Sequence, residues 1–321
     1  MMDQFSSETV VLTVPEQPLP VALSPAACLL RDGLIQRWDK YNIRLQRCQL
    51  EFTEENVHDL RVSMRRLMAI LVLSRAVLPM LKTKNLRQEL KFHLDSLDGL
   101  RDAQVMLLFL RKYFHSNPAA APLIAFLSMQ ETHLIRQVGY DVSLINSERM
   151  AETVNTLRAF IEQSLTGTGV KGQILAVVDE AFAVVQWRRV NINPDDLSTV
   201  HAMRIAYKKF RYMIEIAGPL IPAMPTTRAR TLQRYQAMMG DIQDMVVFLQ
   251  FIDQFAIDNP QFNITPVRVF ISEKCNERME YFLARINRLD RFWRKTPAVR
   301  FPWRSTSTEK SPRQIMEIES E

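Results

Sequence analysis

The stretch His201-Ala-Met-Arg204-Ile-Ala-Tyr-Lys208-Lys209-Phe-Arg211-Tyr212 repeats, in residue type and spacing, His58-Asp-Leu-Arg61-Val-Ser-Met-Arg65-Arg66-Leu67, 143 residues earlier. Downstream of each lies a second match, offset by 142: Leu97-Asp-Gly-Leu-Arg101-Asp102-Ala-Gln-Val105 and Met239-Gly-Asp-Ile-Gln243-Asp244-Met-Val-Val247. Two offsets that agree to within one residue mark a duplicated helical unit. At about 100° per residue, positions i, i+3, i+7 and i+10 fall within roughly 80° of one another. His201, Arg204, Lys208 and Arg211 therefore share one helical stripe. His58, Arg61 and Arg65 share the corresponding one, with Arg66 and Lys209 to one side.

Such a stripe repels itself along about 15 Å of helix. From His201 to Arg211 there is no acid, and Glu215 comes later. Either carboxylates from another helix neutralise it or a bound polyanion does. Asp102 and Asp244, one per half, are the internal candidates, each able to orient an arginine by a bidentate pair. Two such helices, from halves related by an approximate two-fold, would line a cleft or pore with arginine and lysine. The planar fork of arginine suits phosphate, and a regular ladder of forks fits a long phosphate chain better than a small ligand.

Composition supports a helical reading. The 321 residues carry 41 Lys+Arg against 35 Asp+Glu, a net charge of +6, and are 47% hydrophobic, which excludes a disordered chain. Only 8 are glycine, too few for many hairpins or phosphate-cradling glycine loops, so all-β and nucleotide-binding α/β folds lose ground. Cys28, Cys48 and Cys275 form no CxxC pair and are expected as reduced thiols of a cytoplasmic protein. No run of 18 or more uncharged apolar residues is present, and no secretory signal is expected.

Apolar periodicity predicts helices over about 26–47, 54–77 (capped by Thr53 and ending before Pro79), 85–114 (as one helix, or two with a break at Asp98-Gly99), 122–146 and 148–165. The segment 166–172, holding three glycines, reads as a linker between halves of about 24–165 and 173–296. Further helices are expected over 173–189, 194–217, 226–240, 241–257 and 267–295. Residues 1–23 are expected to form a flexible leader and 297–321 a mobile tail. The fold class is all-α, as two similar four-helix-bundle-like halves.

The paired motifs H-x-x-R-x-x-x-R-R and H-x-x-R-x-x-x-K-K-x-R-Y, each followed some 43 residues later by an Asp motif, resemble the CHAD domain, the conserved histidine α-helical domain. The resemblance covers roughly residues 24–296 and implies a non-enzymatic domain that binds inorganic polyphosphate in a basic cavity. Carried over residue by residue, the binding positions are His58, Arg61, Arg65, Arg66, His201, Arg204, Lys208, Lys209 and Arg211. Asp102, Asp244, Arg101, Tyr212, Lys91 and Arg234 are supporting candidates. Met68 stands where the first motif usually ends in arginine, and Gln243 stands where the first half has Arg101. The CYTH triphosphatase signature is absent, so the resemblance is to a stand-alone CHAD protein. It also implies recruitment to polyphosphate granules or an influence on polyphosphate-handling enzymes.

Three rivals follow from the same residues. The basic surface could hold nucleic acid; a phosphohydrolase would need an acid or metal cluster beside the ladder; and the stripes could be structural, with the histidines bonded inside the core. The spacing HxxR is not the HxxH or HExxH of a zinc site, so neither metal nor cofactor is expected. Met64, Met68, Met238 and Met239 read as core filler. The basic, aromatic run from Arg285 to Arg304 is either a second polyanion surface or a terminal helix whose Phe292, Trp293, Phe301 and Trp303 anchor it.

Overall fold

Capping chemistry sets the first two helices. Ser24 Oγ accepts from Ala27 N (3.2 Å) at the start of α1 (Pro25–Leu50), and Thr53 Oγ1 accepts from Asn56 N (3.2 Å) at the start of α2 (Glu54–Val77). Glu54 and Glu55 lie in the first turn of α2, where the helix dipole favours acids. The computed structural model describes residues 23–165, 169–221 and 223–303. Among these it is all-α, with no strand beyond one isolated bridge between Asn193 and Asp196. The expected leader (to residue 22), the start of the linker (166–168) and the tail from 304 lie outside the described residues.

The first half continues through α3 (Lys84–Ser96), α4 (Asp98–Phe114), α5 (Ala121–Ser143) and α6 (Glu148–Ser164). The second consists of α7 (Val170–Val190), α8 (Leu197–Ala217), α9 (Arg228–Asp258) and α10 (Thr265–Leu283), followed by a 3₁₀ turn over Ile286–Arg291. α7 starts at Val170, so the last three residues of the expected linker are helical.

The two Asp motifs differ in local structure. Near Asp98-Gly99 the helix breaks at Leu97, whose N–H turns to Leu94 O (3.2 Å) in a tighter turn. At Gly240-Asp241 no break occurs, and α9 runs through as one helix of 31 residues instead of the expected two. A helical glycine costs about 1 kcal/mol, which the burial of Met239 and Ile242 on either side offsets.

One continuous apolar core runs through both halves. They join in two places. α1 and α2 pack on α7 and α8. At the other end an aromatic ladder links them: Phe109 meets Phe248 edge-on at 5.7 Å, Phe114 meets Phe270 at 5.0 Å and Phe126 meets Phe255 at 5.4 Å. Edge-to-face geometry adds to the gain from burial at each pair. Cys48 and Cys275 are free thiols buried in this core, and burial pushes the Cys48 thiol up to about 11.

The C-terminal segment departs from expectation. α10 ends at Leu283, and the chain turns so that Trp293 is fully buried. Trp293 Nε1 donates to Asp179 Oδ1 of α7 (2.7 Å), and Arg294 grips the same carboxylate with two bonds of 2.9 and 2.7 Å. Phe301, expected in a mobile tail, packs on Trp293 at 4.9 Å and stacks with Trp303 at 4.8 Å. The anchoring role of the basic, aromatic run is the one this packing realises. Trp293→Ala should lower stability by about 3–5 kcal/mol, read as a lower denaturation midpoint at unchanged m-value; a loss under 1 kcal/mol would mean the segment only rests on the bundle.

Candidate functional site

The repeated motifs fall on α2 and α8, which pack against each other. The two helices advance in step, so that Arg61 and Arg65 lie near Lys208, Arg65 near Tyr212, and Arg66 near Glu215. Apolar residues on the adjoining faces fix this approach. Leu60, Met64, Leu67 and Leu71 of α2 and Met203, Tyr207, Phe210 and Ile214 of α8 are fully buried. Burial there forces the intervening cations into one seam.

Lys208 shows what the seam does. Its ammonium is partly buried, and desolvation first, then Arg204, Arg65 and Arg61, push its pKa down to about 8, with Asp98 opposing. Burial likewise lowers Arg65, which gains from its hydrogen bond with Tyr212. Arg65 Nε and Arg204 Nε are buried N–H groups without an acceptor among the described residues. Such donors are costly to leave unmet. Arg204 lies over Gly240 of α9, its Nε 3.8 Å from where a Cβ would stand.

The counter-charges differ from those expected. Arg61, 7% exposed, donates to Asp98 Oδ1 (2.6 Å) and to Leu94 O (3.4 Å), not to Asp102. The break at Leu97 is the reason, because it leaves the last α3 carbonyls open and turns the first carboxylate of α4 towards Arg61. Asp102 lies nearby, its carboxyl raised by burial and by Asp98 and Asp244. Asp244 faces Arg101 across 4.0 Å; burial raises it while Arg101, Arg204 and Arg278 hold it down. The stripe on α8 also has a local partner after all. Arg211 pairs with Glu215 one turn on, donates to Gln236 Oε1 (2.7 Å) and lies 4.3 Å from the Tyr212 ring.

Other candidates separate. His201 Nδ1 meets Gln243 Oε1 at 2.5 Å, so the residue standing in place of Arg101 gives this histidine a neutral partner. A concavity of about 490 Å³ opens beside this pair, but Asp195 and Asp196 line it, which disfavours an anion. His58 and Lys209 are exposed, Lys91 pairs with Asp95 on α3, and Arg234 is exposed on α9. Arg37 of α1 was missed: it lies beside Arg66 and Glu215, lowered by burial and by Arg66. It belongs to neither motif, and an isolated arginine on an amphipathic helix carries no spacing signal. Among the described residues no group of three His, Cys, Asp or Glu side chains converges as a metal site would require.

The CHAD domain model matches residues 33–253. The chain belongs to the CHAD family. The CHAD fold recurs in the crystal structure of the CHAD domain from the plant Ricinus communis, at TM-score 0.61 and 20% identity, over 89% of this chain and 99% of that one. PptA from Streptomyces chartreusis is similar at TM-score 0.57 and 18% identity, over 83% of this chain and 99% of its own. No curated protein matches this CHAD chain in sequence. No helix among the described residues is long and apolar enough to cross a membrane.

The depressed Lys208 has a stability consequence. Its value in the fold, about 8, lies below the ordinary 10.5, so between these pH values the unfolded chain binds more protons. Stability of the free protein should therefore rise with pH across that window, and Lys208 destabilises the fold below it. Lys208→Met should raise the thermal midpoint at pH 7, by a free energy on the order of 2 kcal/mol, and flatten the rise between pH 8 and 10. A lower midpoint at pH 7 would mean that a carboxylate satisfies Lys208.

Proposed function

We propose that this protein binds inorganic polyphosphate along the basic seam where α2 and α8 pack against each other, and does so without turnover. One observation carries the reading: four cations, Arg61, Arg65, Arg204 and Lys208, share one partly buried seam, where desolvation first and the neighbouring arginines second depress the Lys208 ammonium to about 8. A fold that holds like charges in a partly dry seam gains from an anion that enters it. The forks of Arg65 and Arg204, each with an unmet buried Nε donor, suit tetrahedral oxygens. Arg66, Arg211 and Lys209 extend the basic track along α2 and α8, and His58 and His201 stand at its N-terminal end. Membership of the CHAD family supports the same ligand. Binding of this kind suits a protein recruited to polyphosphate granules in the cytoplasm, or one that modulates enzymes handling the polymer.

The test is titration calorimetry with long-chain polyphosphate, with duplex DNA and orthophosphate as competitors. Affinity should fall about a hundredfold from 50 to 200 mM salt if some five phosphates are neutralised, taking the slope per phosphate of a single-stranded polyanion. Arg204→Ala/Lys208→Ala should weaken binding about a hundredfold while the fold persists, from roughly 1.5 kcal/mol per charge-assisted contact. Equal displacement by DNA would make the surface a generic polyanion site, full binding by the double variant would make the stripe structural, and release of phosphate with magnesium present would make the protein an enzyme.

A further inference from the structure

The C-terminal end of the basic track already holds an anion of the chain's own. Glu215 is the only acid on α8. Its Oε1 accepts from Arg211 Nη1, and its Oε2 lies 3.8 Å from Arg66 Nε across the seam. Arg37, from α1, stands close enough that Glu215 is its principal favourable charge while Arg66 opposes it. Arg37 Nη1 otherwise reaches only its own helix, at Gly33 O (3.1 Å). Two arginines from two helices thus meet one carboxylate whose side chain is 20% exposed, with Arg37 of a third helix close enough to feel its charge. Arg211 is held rigidly for this, by Gln236 on one edge and the Tyr212 ring on its face. A planar fork gripped by a carboxylate presents the geometry it would present to phosphate.

The position matters as much as the contacts. Glu215 lies seven residues beyond Lys208 on the same helix, about 10 Å along its axis. At the Lys208 end the nearby Asp98 is paired with Arg61, not with Lys208; at the Glu215 end the carboxylate pairs with Arg211 and lies 3.8 Å from Arg66. A polyanion advancing from Lys208 would meet a negative charge where the next three cations stand.

Resting on the polyphosphate reading above, we infer that Glu215 is an internal phosphate mimic that closes the track: it sequesters Arg37, Arg66 and Arg211, sets how many phosphates are gripped, and lowers affinity for chains that reach it. Removing its charge should open the end of the track to one or two further phosphates. Arg37 would then become a ligand-binding residue.

The experiment uses the full chain and oligophosphates of defined length, measured by calorimetry across a salt series. Glu215→Gln keeps the side-chain size and an acceptor for Arg211. It should bind long chains about tenfold more tightly than wild type and steepen the salt slope by about 0.7 for each phosphate gained. The shortest oligophosphate that reaches full affinity should also lengthen by one or two units. Without ligand the variant should melt at a lower temperature, because three arginines lose their shared counter-charge, and polyphosphate should restore more of its midpoint than it adds to wild type. Should Glu215→Gln fail to fold, Glu215→Asp, which withdraws the carboxylate by one methylene, should change the same quantities in the same direction by less. If wild type binds polyphosphate but both variants keep its affinity, slope and length dependence, Glu215 merely buttresses the helix end and the inference falls. If wild type binds no polyphosphate, it is the function reading that falls.

Discussion

The seam exists because apolar burial on the adjoining faces of α2 and α8 outweighs repulsion among the cations beside them. Leu60, Met64 and Leu67 on one helix and Met203, Tyr207 and Phe210 on the other are driven inward wherever the cations end up. Full burial of such side chains is worth about 1.5–3 kcal/mol each. Repulsion between partly solvated charges several ångströms apart is smaller per pair. The fold can therefore hold a cluster that would fly apart on an isolated pair of helices, and Lys208, lowered first by burial and then by its arginine neighbours, records the cost. The surrounding acids reduce the surplus without removing it. Each is placed at an edge: Asp98 at the α3–α4 break, Asp244 on α9 by Arg101, and Glu215 at the α8 C-terminus.

The two copies of the motif are not used alike. In the first, the helix break at Leu97 delivers both a carbonyl and a carboxylate to Arg61, which is thereby buried and spoken for. In the second, α9 runs straight through, and the equivalent Arg204 meets a glycine, so that its buried Nε has no acceptor among the described residues. The exchange of Arg101 for Gln243 adds to the difference, since a neutral amide can bond His201 where a second guanidinium would repel it once protonated. The two similar ladders thus sit in different backbone settings.

Much of this was legible in the sequence because it is periodic. The stripe positions, the Thr53 cap and the end of α2 before Pro79 follow from spacing and local chemistry alone. What was not legible depends on where a neighbouring helix stops or turns. The partner of Arg61 proved to be Asp98, not Asp102, because the α3–α4 break rotates one carboxylate in and leaves the other near two more acids. α9 stayed whole at Gly240, since packing on both sides overrode the glycine. Arg37 could not be found from spacing, because it joins the cluster only through the packing of α1 on α8. Trp293 read as part of a helix, but its indole N–H has an acceptor only where the chain bends back to α7.

The grip of Asp179 on Trp293 and Arg294 ties the far end of the second half back to its first helix, across 114 and 115 residues. A contact of that sequence separation is expensive to form early, since the loop must close before anything rewards it. It belongs with the late-closing contacts, beside the still longer-range pairs Phe109–Phe248 and Phe114–Phe270. Until it closes, Trp293, Phe301 and the underside of α7 expose apolar surface that neighbouring chains can capture. Late closure of this clasp thus leaves an interval in which the chain is open to aggregation.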